Sequence, residues 1–328
     1  MGRIRIGLVG LLAIAAVVAC GGDDDDAAPE ATADADAPAE AAATGPVTVD
    51  HLYGATTLEE RPERIVSLDT QWTDVLSALD GPLVGAAVLS EAGGRPFPWQ
   101  DLSGVEQIPV NTTDGIPYEV IAGLDPDLLV ITYGAVEESD YDRLSEIAPT
   151  IPLLSDVGVD KWEDIAEVAG EILGVPDEAA ALVAEASARN DAVGEELPGL
   201  TGRTLAFANY VPGDALYVLT DPDDGANSFF AQLGLEIDPD LVAQGDPGTG
   251  RLELSLENVG QLDADVLLLL TNGADPADIP GYDQLPAVQD GAAGVVDMAT
   301  AVALNTPTPL SLPWALDQIR PALEAAAG

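Results

Sequence analysis

The sequence predicts an α/β protein of two similar lobes, and three observations carry that expectation. Residues 119–132 (EVIAGLDPDLLVIT) and 257–270 (ENVGQLDADVLLLL) share one pattern: a leading Glu, a Leu five positions on, an Asp next to it, a second Asp two further, then an apolar run. A short amphipathic turn feeding a strand buried on both faces reads this way. Short apolar runs alternate with helical segments through residues 47–328, which implies parallel sheets covered on both faces. Between the two repeats lies the longest helical stretch, 161–197. A helix of about 20 residues is roughly 30 Å long, enough to run from one lobe to the other.

Residues 1–19 read as a signal peptide. Arg3 and Arg5 form a short basic region, residues 6–18 an apolar segment too short for a comfortable membrane span, and Val17-Val18-Ala19-Cys20 a small-residue cleavage site. A Cys directly after the cleavage site resembles a bacterial lipobox, which implies that Cys20 is diacylated and becomes the N-terminus. Cys20 is the only cysteine, so there is no disulfide framework. Two acyl chains anchor a protein stably where one does not. Residues 20–46 hold Asp, Ala, Glu, Pro and Thr with almost no large apolar group. Such a stretch cannot bury enough surface to offset its ordering entropy and reads as a disordered acidic tether.

In the body, VTVDHLYG (47–54), ERIVSL (63–68) and PLVGAAV (82–88) read as strands, with a short helix over 71–80. Residues 89–115 carry turn signals and a short strand near Ile108. After the first repeat come a helix over 138–148 and the strand TIPLL (150–154). These close an N-terminal lobe of residues 47–160. Linking helices occupy 161–200, broken at Pro176, with Asp177 placed for a helix start. The C-terminal lobe, 201–328, begins with RTLAFA (203–208) and ALYVL (215–219). It continues through a helix near 227–233, the second repeat unit (254–270), GVVDM (294–298) as last strand and a terminal helix over 311–326.

Composition removes several function classes. Asp and Glu number 58 against 11 Lys and Arg, a net charge of −47, and Lys161 is the sole lysine. Nucleic acid is excluded as a partner, because phosphate contacts need a basic patch. The balance resembles that of proteins from salty environments, where salt screens self-repulsion. An enzyme is not expected: there is no G-x-S-x-G elbow, no phosphate loop, and a Ser/His/Asp triad would have to recruit His51, the only histidine. A bare-metal site built on several histidines is ruled out by the same count.

The lipobox, the opening VDHLYGATTLEERPERIVSLDTQWTDVL (49–76), the two Glu-led units and the helix between them resemble the periplasmic-binding family of ABC importers, in particular its branch for ferric siderophores, haem and cobalamin. The resemblance covers about residues 47–328. It implies two Rossmann-like α/β lobes joined by a long interdomain helix, with the ligand cleft between them. It also implies a monomeric, non-enzymatic binding protein without a resident cofactor, lipid-anchored to the outer face of the bacterial cytoplasmic membrane. In that family one surface Glu per lobe docks on permease arginines; the corresponding positions are Glu119 and Glu257. The competing reading is two helix-start acids, since a carboxylate in a first turn is favoured by the macrodipole.

In open α/β sheets, ligands bind beyond the carboxyl ends of strands. The first lobe offers Thr70, Gln71 and Trp72 after ERIVSLD, Arg95 and Trp99 after PLVGAAV, and Tyr133 after DLLVIT. The second offers Asn209 and Tyr210 after RTLAFA, Arg251 before the second repeat, Asn272 after VLLLLT, and Trp314. Aromatic side chains there suit a bulky ligand, and core packing is the alternative for each. Arg95 offers a guanidinium to a ligand carboxylate or iron-bound oxygens, or forms a surface ion pair; Arg251 is the second candidate. So few cations compensate a catecholate complex poorly, which favours a neutral or cationic ferric hydroxamate. Haem, cobalamin, and a sensor lipoprotein on the same fold remain alternatives.

Overall fold

A computed structural model describes residues 45–110, 115–132, 137–155 and 159–328. The signal peptide, Cys20, most of the tether and Tyr133 lie outside the described residues. The chain opens with β1 (Val47–His51) and β2 (Gly54–Leu58), then β3 (Ile65–Ser67), α1 (Thr70–Ala78), β4 (Leu83–Leu89), β5 (Glu106–Val110), α2 (Tyr118–Gly123), β6 (Leu128–Val130), α3 (Glu138–Ser145) and β7 (Thr150–Ile151). Two helices follow, α4 (Trp162–Leu173) and α5 (Pro176–Glu196). The remainder is β8 (Arg203–Tyr210), β9 (Leu216–Leu219), α6 (Gly225–Gln232), β10 (Leu235–Ile237), α7 (Pro239–Val242), β11 (Arg251–Leu254), β12 (Val266–Leu270), α8 (Pro286–Gln289), β13 (Ala293–Val296), α9 (Met298–Asn305) and α10 (Ser311–Ala327).

The strands form two main sheets. The first has the order β5-β4-β3-β6-β7 and is parallel throughout. Its central strands alternate between two cores: Ile65, Leu128 and Val130 face one apolar cluster, while Val66, Leu129 and Ile131 face another. A strand buried on both faces needs apolar residues at every position, which is why ERIVSL and DLLVIT carry unbroken runs. The second sheet has the order β11-β9-β8-β12-β13, with β10 on the first half of β8. Here the all-parallel expectation fails: β8 with β12, and β12 with β13, are parallel, but β9 runs antiparallel to both β8 and β11.

Three local expectations also change. VTVDHLYG is not one strand but β1 and the turn into β2, an antiparallel hairpin pairing Val47 with Leu58. The second repeat's amphipathic turn is a 3₁₀ helix over Leu256–Gln261, whereas the first is α2. The stretch after the second repeat holds α9, an apolar helix without the amphipathic period that marks a surface helix in sequence.

The linker folds as two helices joined by a tight turn. Gly174 caps α4 at φ +70°, a conformation that favours glycine, and Pro176 occupies the first turn of α5, where its missing N–H costs nothing. With 21 residues, α5 is roughly 31 Å long. Val183 and Ala186 pack on a core of the first lobe and Val193 on that of the second. Asn190 Nδ2 donates to Gln232 Oε1 of α6 at 2.7 Å. One helix therefore touches both lobes, as its length anticipates.

Candidate functional site

The carboxyl ends of β3, β4, β8 and β12 face each other across the gap between the lobes, and a cleft of about 320 Å³ lies there. Asp69, Thr70 and Gln71, at the start of α1, form its floor. The opposite wall comes from β8 (Phe207–Asn209), Tyr217 and Leu219 of β9, Arg251, Asn272, and the α9 residues Met298, Ala301, Val302 and Asn305, with Thr306 following. The volume falls in the range of small-molecule clefts, which are mostly apolar with a few placed polar groups.

Those polar groups are pre-oriented. The Arg251 guanidinium pairs with Asp224 at 3.0 Å and donates to Asn305 Oδ1 at 3.1 Å. Asp224 is buried, so the ion pair is held in a partly dry setting. Asn272 has φ +53°, a left-handed conformation that Asn tolerates better than most residues. From it, Nδ2 donates to Asn209 Oδ1 at 2.7 Å and to the Tyr210 carbonyl at 2.8 Å, tying the ends of β12 and β8 together. On the floor, Asp69 caps α1 by accepting from Trp72 N, and its other oxygen accepts from Thr132 N and Oγ1. Gln71 donates through Nε2 to Asp160 O at 3.1 Å in its own lobe and to Pro307 O at 3.2 Å in the other. Tyr217 donates to Asp214, which raises the phenol pKa.

Of the expected ligand residues, Thr70, Gln71, Asn209, Arg251 and Asn272 line this cleft, five do not, and Tyr133 lies outside the described residues. Trp72 is fully buried in a core of the first lobe with Val75 and Leu76. Positions i, i+3 and i+4 of a helix share a face, so the side chain that opens α1 belongs to its inner stripe. Tyr210 is buried in the second core, because strand alternation sends it and Asn209 to opposite sides. Arg95 is exposed in the loop after β4, away from the cleft lining. Trp99 and Trp314 meet each other instead: their ring centroids lie 5.1 Å apart, and Trp99 stacks on Phe97 at 4.7 Å. Sequence reading named none of Phe207, Tyr217, Met298 and Asn305. The Asp297 cap, accepting from Thr300 N at 2.8 Å, was the available signal for the helix that carries two of them.

The Trp99–Trp314 pair belongs to a seam behind the cleft. Asp74, on α1, is fully buried. It accepts from Trp99 Nε1 (2.7 Å), Gln100 Nε2 (2.6 Å) and, across the lobes, Thr308 Oγ1 (2.6 Å). Burial pushes its carboxyl up to about 6, against those three hydrogen bonds, with Asp69 adding to the rise. Asp160, beside Gln71, is also raised to about 6, mainly by burial.

Comparison with known proteins bears on what this cleft does. Residues 65–292 match the family described as periplasmic binding protein. The chain belongs to that family. Its members are substrate-binding proteins, not enzymes, as expected from the missing catalytic motifs. Among curated relatives of this periplasmic binding protein, the Fe(3+) dicitrate-binding periplasmic protein FecB of Escherichia coli is 28% identical over 220 residues, 64% of this chain and 69% of its own. The ferric enterobactin-binding periplasmic protein FepB of Escherichia coli is 27% identical over 268 residues, 76% of this chain and 83% of its own. Among solved structures, the iron uptake ABC transporter substrate-binding protein PiaA of Streptococcus pneumoniae superimposes with a TM-score of 0.70 at 25% identity, covering 85% of this chain and 99% of that one. No helix among the described residues is long and apolar enough to cross a membrane.

Proposed function

We propose that this protein is an extracytoplasmic substrate-binding lipoprotein of an ABC importer that captures a ferric siderophore of the hydroxamate type and hands it to its permease. The observation that carries the ligand class is the charge of the cleft. Among the described residues lining it, Arg251 is the only cation, already paired with Asp224, and Asp69 is the only acid. A tri-anionic catecholate complex meets no net positive charge there, while a neutral or cationic trihydroxamate loses little on entering. The two Escherichia coli relatives are named for ferric complexes of different chelators, so iron is common to them and the chelator is not.

Delivery rests on Glu119 and Glu257. Both are exposed, each in the first turn of a short helix of its own lobe, α2 and the 3₁₀ helix over Leu256–Gln261, and Ser255 Oγ accepts from Glu257 N. Two exposed acids at matching places suit paired arginines on a permease. Acylation at Cys20, with the tether behind it, would keep the body near that permease.

Titration of ferrioxamine B and of ferric enterobactin, followed by quenching of tryptophan fluorescence, tests the ligand class. The reading expects saturable tight binding of ferrioxamine B and weak or no binding of the catecholate. The reverse order would overturn it.

A further inference from the structure

The cleft and the seam behind it are built from the same two pieces of chain. Helix α1 contributes Asp69, Thr70 and Gln71 to the cleft floor and, one turn further on, Asp74 to the seam. From the other lobe, Asn305 and Thr306 line the cleft, and the next two residues make the seam: Pro307 O accepts from Gln71 Nε2, and Thr308 Oγ1 donates to Asp74. Thr308 is itself fixed at the start of α10, its Oγ1 accepting from Ser311 N at 2.9 Å and its N–H donating to Ser311 Oγ at 3.0 Å. Asn305, three residues before Thr308, accepts from Arg251.

We propose that Asp74 and Thr308 are positioning residues for the cleft. Their hydrogen bond pins segment 305–308 of the C-terminal lobe onto α1 of the N-terminal lobe, and so sets both the spacing of the lobes and the place of Arg251, which Asn305 holds. The two joints divide the work. Helix α5 resists bending of the lobes at one connection, and the seam closes a second, so the apo cleft keeps one width.

The geometry gives this bond weight for two reasons. Asp74 is fully buried, and its partners are neutral: Trp99, Gln100 and Thr308. Removing one donor from a buried carboxylate leaves acceptor capacity that no water reaches, which costs more than an exposed bond of the same length. The Thr308 hydroxyl is also the only one of the three donors that comes from the opposite lobe, the other two lying in the loop after β4 of the same lobe as Asp74.

The test uses the ligand-free full chain carrying Cys20→Ser, with spin labels on Glu146→Cys in one lobe and Asp283→Cys in the other, both exposed positions. Double electron–electron resonance reads the distance between lobes. Thr308→Val and Asp74→Ala, one on each side of the bond, are expected to shift or broaden the distance distribution, and Thr308→Ser to restore it. The double variant should add little to Asp74→Ala, which already removes the bond that Thr308→Val breaks. An unchanged distribution in either folded variant overturns the proposal, and the two variants are independent should one fail to fold. The consequence for affinity rests on the ligand reading above: Kd for ferrioxamine B rises about tenfold in Thr308→Val and returns in Thr308→Ser. Should the unaltered protein bind no ferrioxamine B, that reading fails while the distance measurement still decides the seam.

Discussion

Asp127 and Asp265 do the same work at equivalent places in the two lobes. Asp127 accepts from the backbone amides of Glu63 and Arg64, just ahead of β3, at 2.7 and 2.9 Å. Asp265 accepts from the amide of Thr204, at the start of β8, at 2.8 Å, and pairs with Arg203. Each carboxylate stitches the strand it precedes, β6 or β12, to the central strand of its sheet. The Asp265 carboxyl is held below the usual range, first by the Thr204 amide. The second Asp of each L-D-x-D is thus a structural residue, while the leading Glu of each unit stays exposed.

Replacing either of these aspartates by Ala therefore destabilises its lobe by about 1 kcal/mol, since the strand-start amides lose a charged acceptor and turn to water. Ligand affinity measured well below the melting temperature should not change. Chemical denaturation with a parallel ligand titration separates the two effects.

Arg251 and Asp224 make a coupled pair. Arg251→Gln alone leaves a buried carboxylate without its cation and costs about 3 kcal/mol of stability. Adding Asp224→Asn should recover much of that loss without restoring ligand affinity. Melting curves of the two single variants and the double variant check the cycle; strict additivity would show that the pair does not interact.

Stability should fall as pH rises. Burial raises the carboxyls of Asp74 and Asp160 from 3.8 to about 6. A group that holds its proton more tightly when folded contributes stability that is complete below about 4 and lost as pH climbs through about 6. Melting temperature at fixed high salt should therefore be higher at pH 5 than at pH 7.5. In Asp160→Asn the slope flattens by about 1.4 kcal/mol over that window, since the Ser155 hydroxyl beside it can rotate to accept from the amide. An identical slope in the variant would remove Asp160 as a contributor.

For Glu119 and Glu257, the double replacement by Ala should leave ligand binding intact and abolish uptake, because both side chains stand outside the cleft and exposed. Uptake of iron-labelled siderophore in cells carrying the double variant is the measurement. Normal import would show that docking uses other residues.

What the sequence made legible follows from what is local. Strands buried on both faces announce themselves as unbroken apolar runs, so β3, β6, β8 and β12 were readable, and the length of α5 anticipated its contact with both lobes. Strand ends also pointed to Asn272, Asn209, Thr70 and Gln71, and the start of the second repeat to Arg251, all of which line the cleft. Trp72 was misread because its place after a strand end outweighed its phase with Val75 and Leu76. Trp99 and Trp314 are bulky and close to the cleft, but they pack on each other across the lobes, and Trp99 donates to Asp74, 25 residues before it. Sheet order is equally non-local: nothing within ALYVL says that β9 runs antiparallel or that Tyr217 turns to the cleft. Asn305 was hidden because α9 is apolar nearly all round and gives no helical period.

The central claim is that the gap between the lobes is where cargo sits, and filling that gap tests it most directly. Thr70→Trp from one lobe and Asn209→Trp from the other place bulk at partly exposed positions on the cleft lining. Calorimetric titration of ferrioxamine B should give one tight site in the unaltered protein and none in either variant, with both variants melting near the unaltered protein. Undiminished one-to-one binding in both variants would contradict the account and move the ligand elsewhere on the molecule.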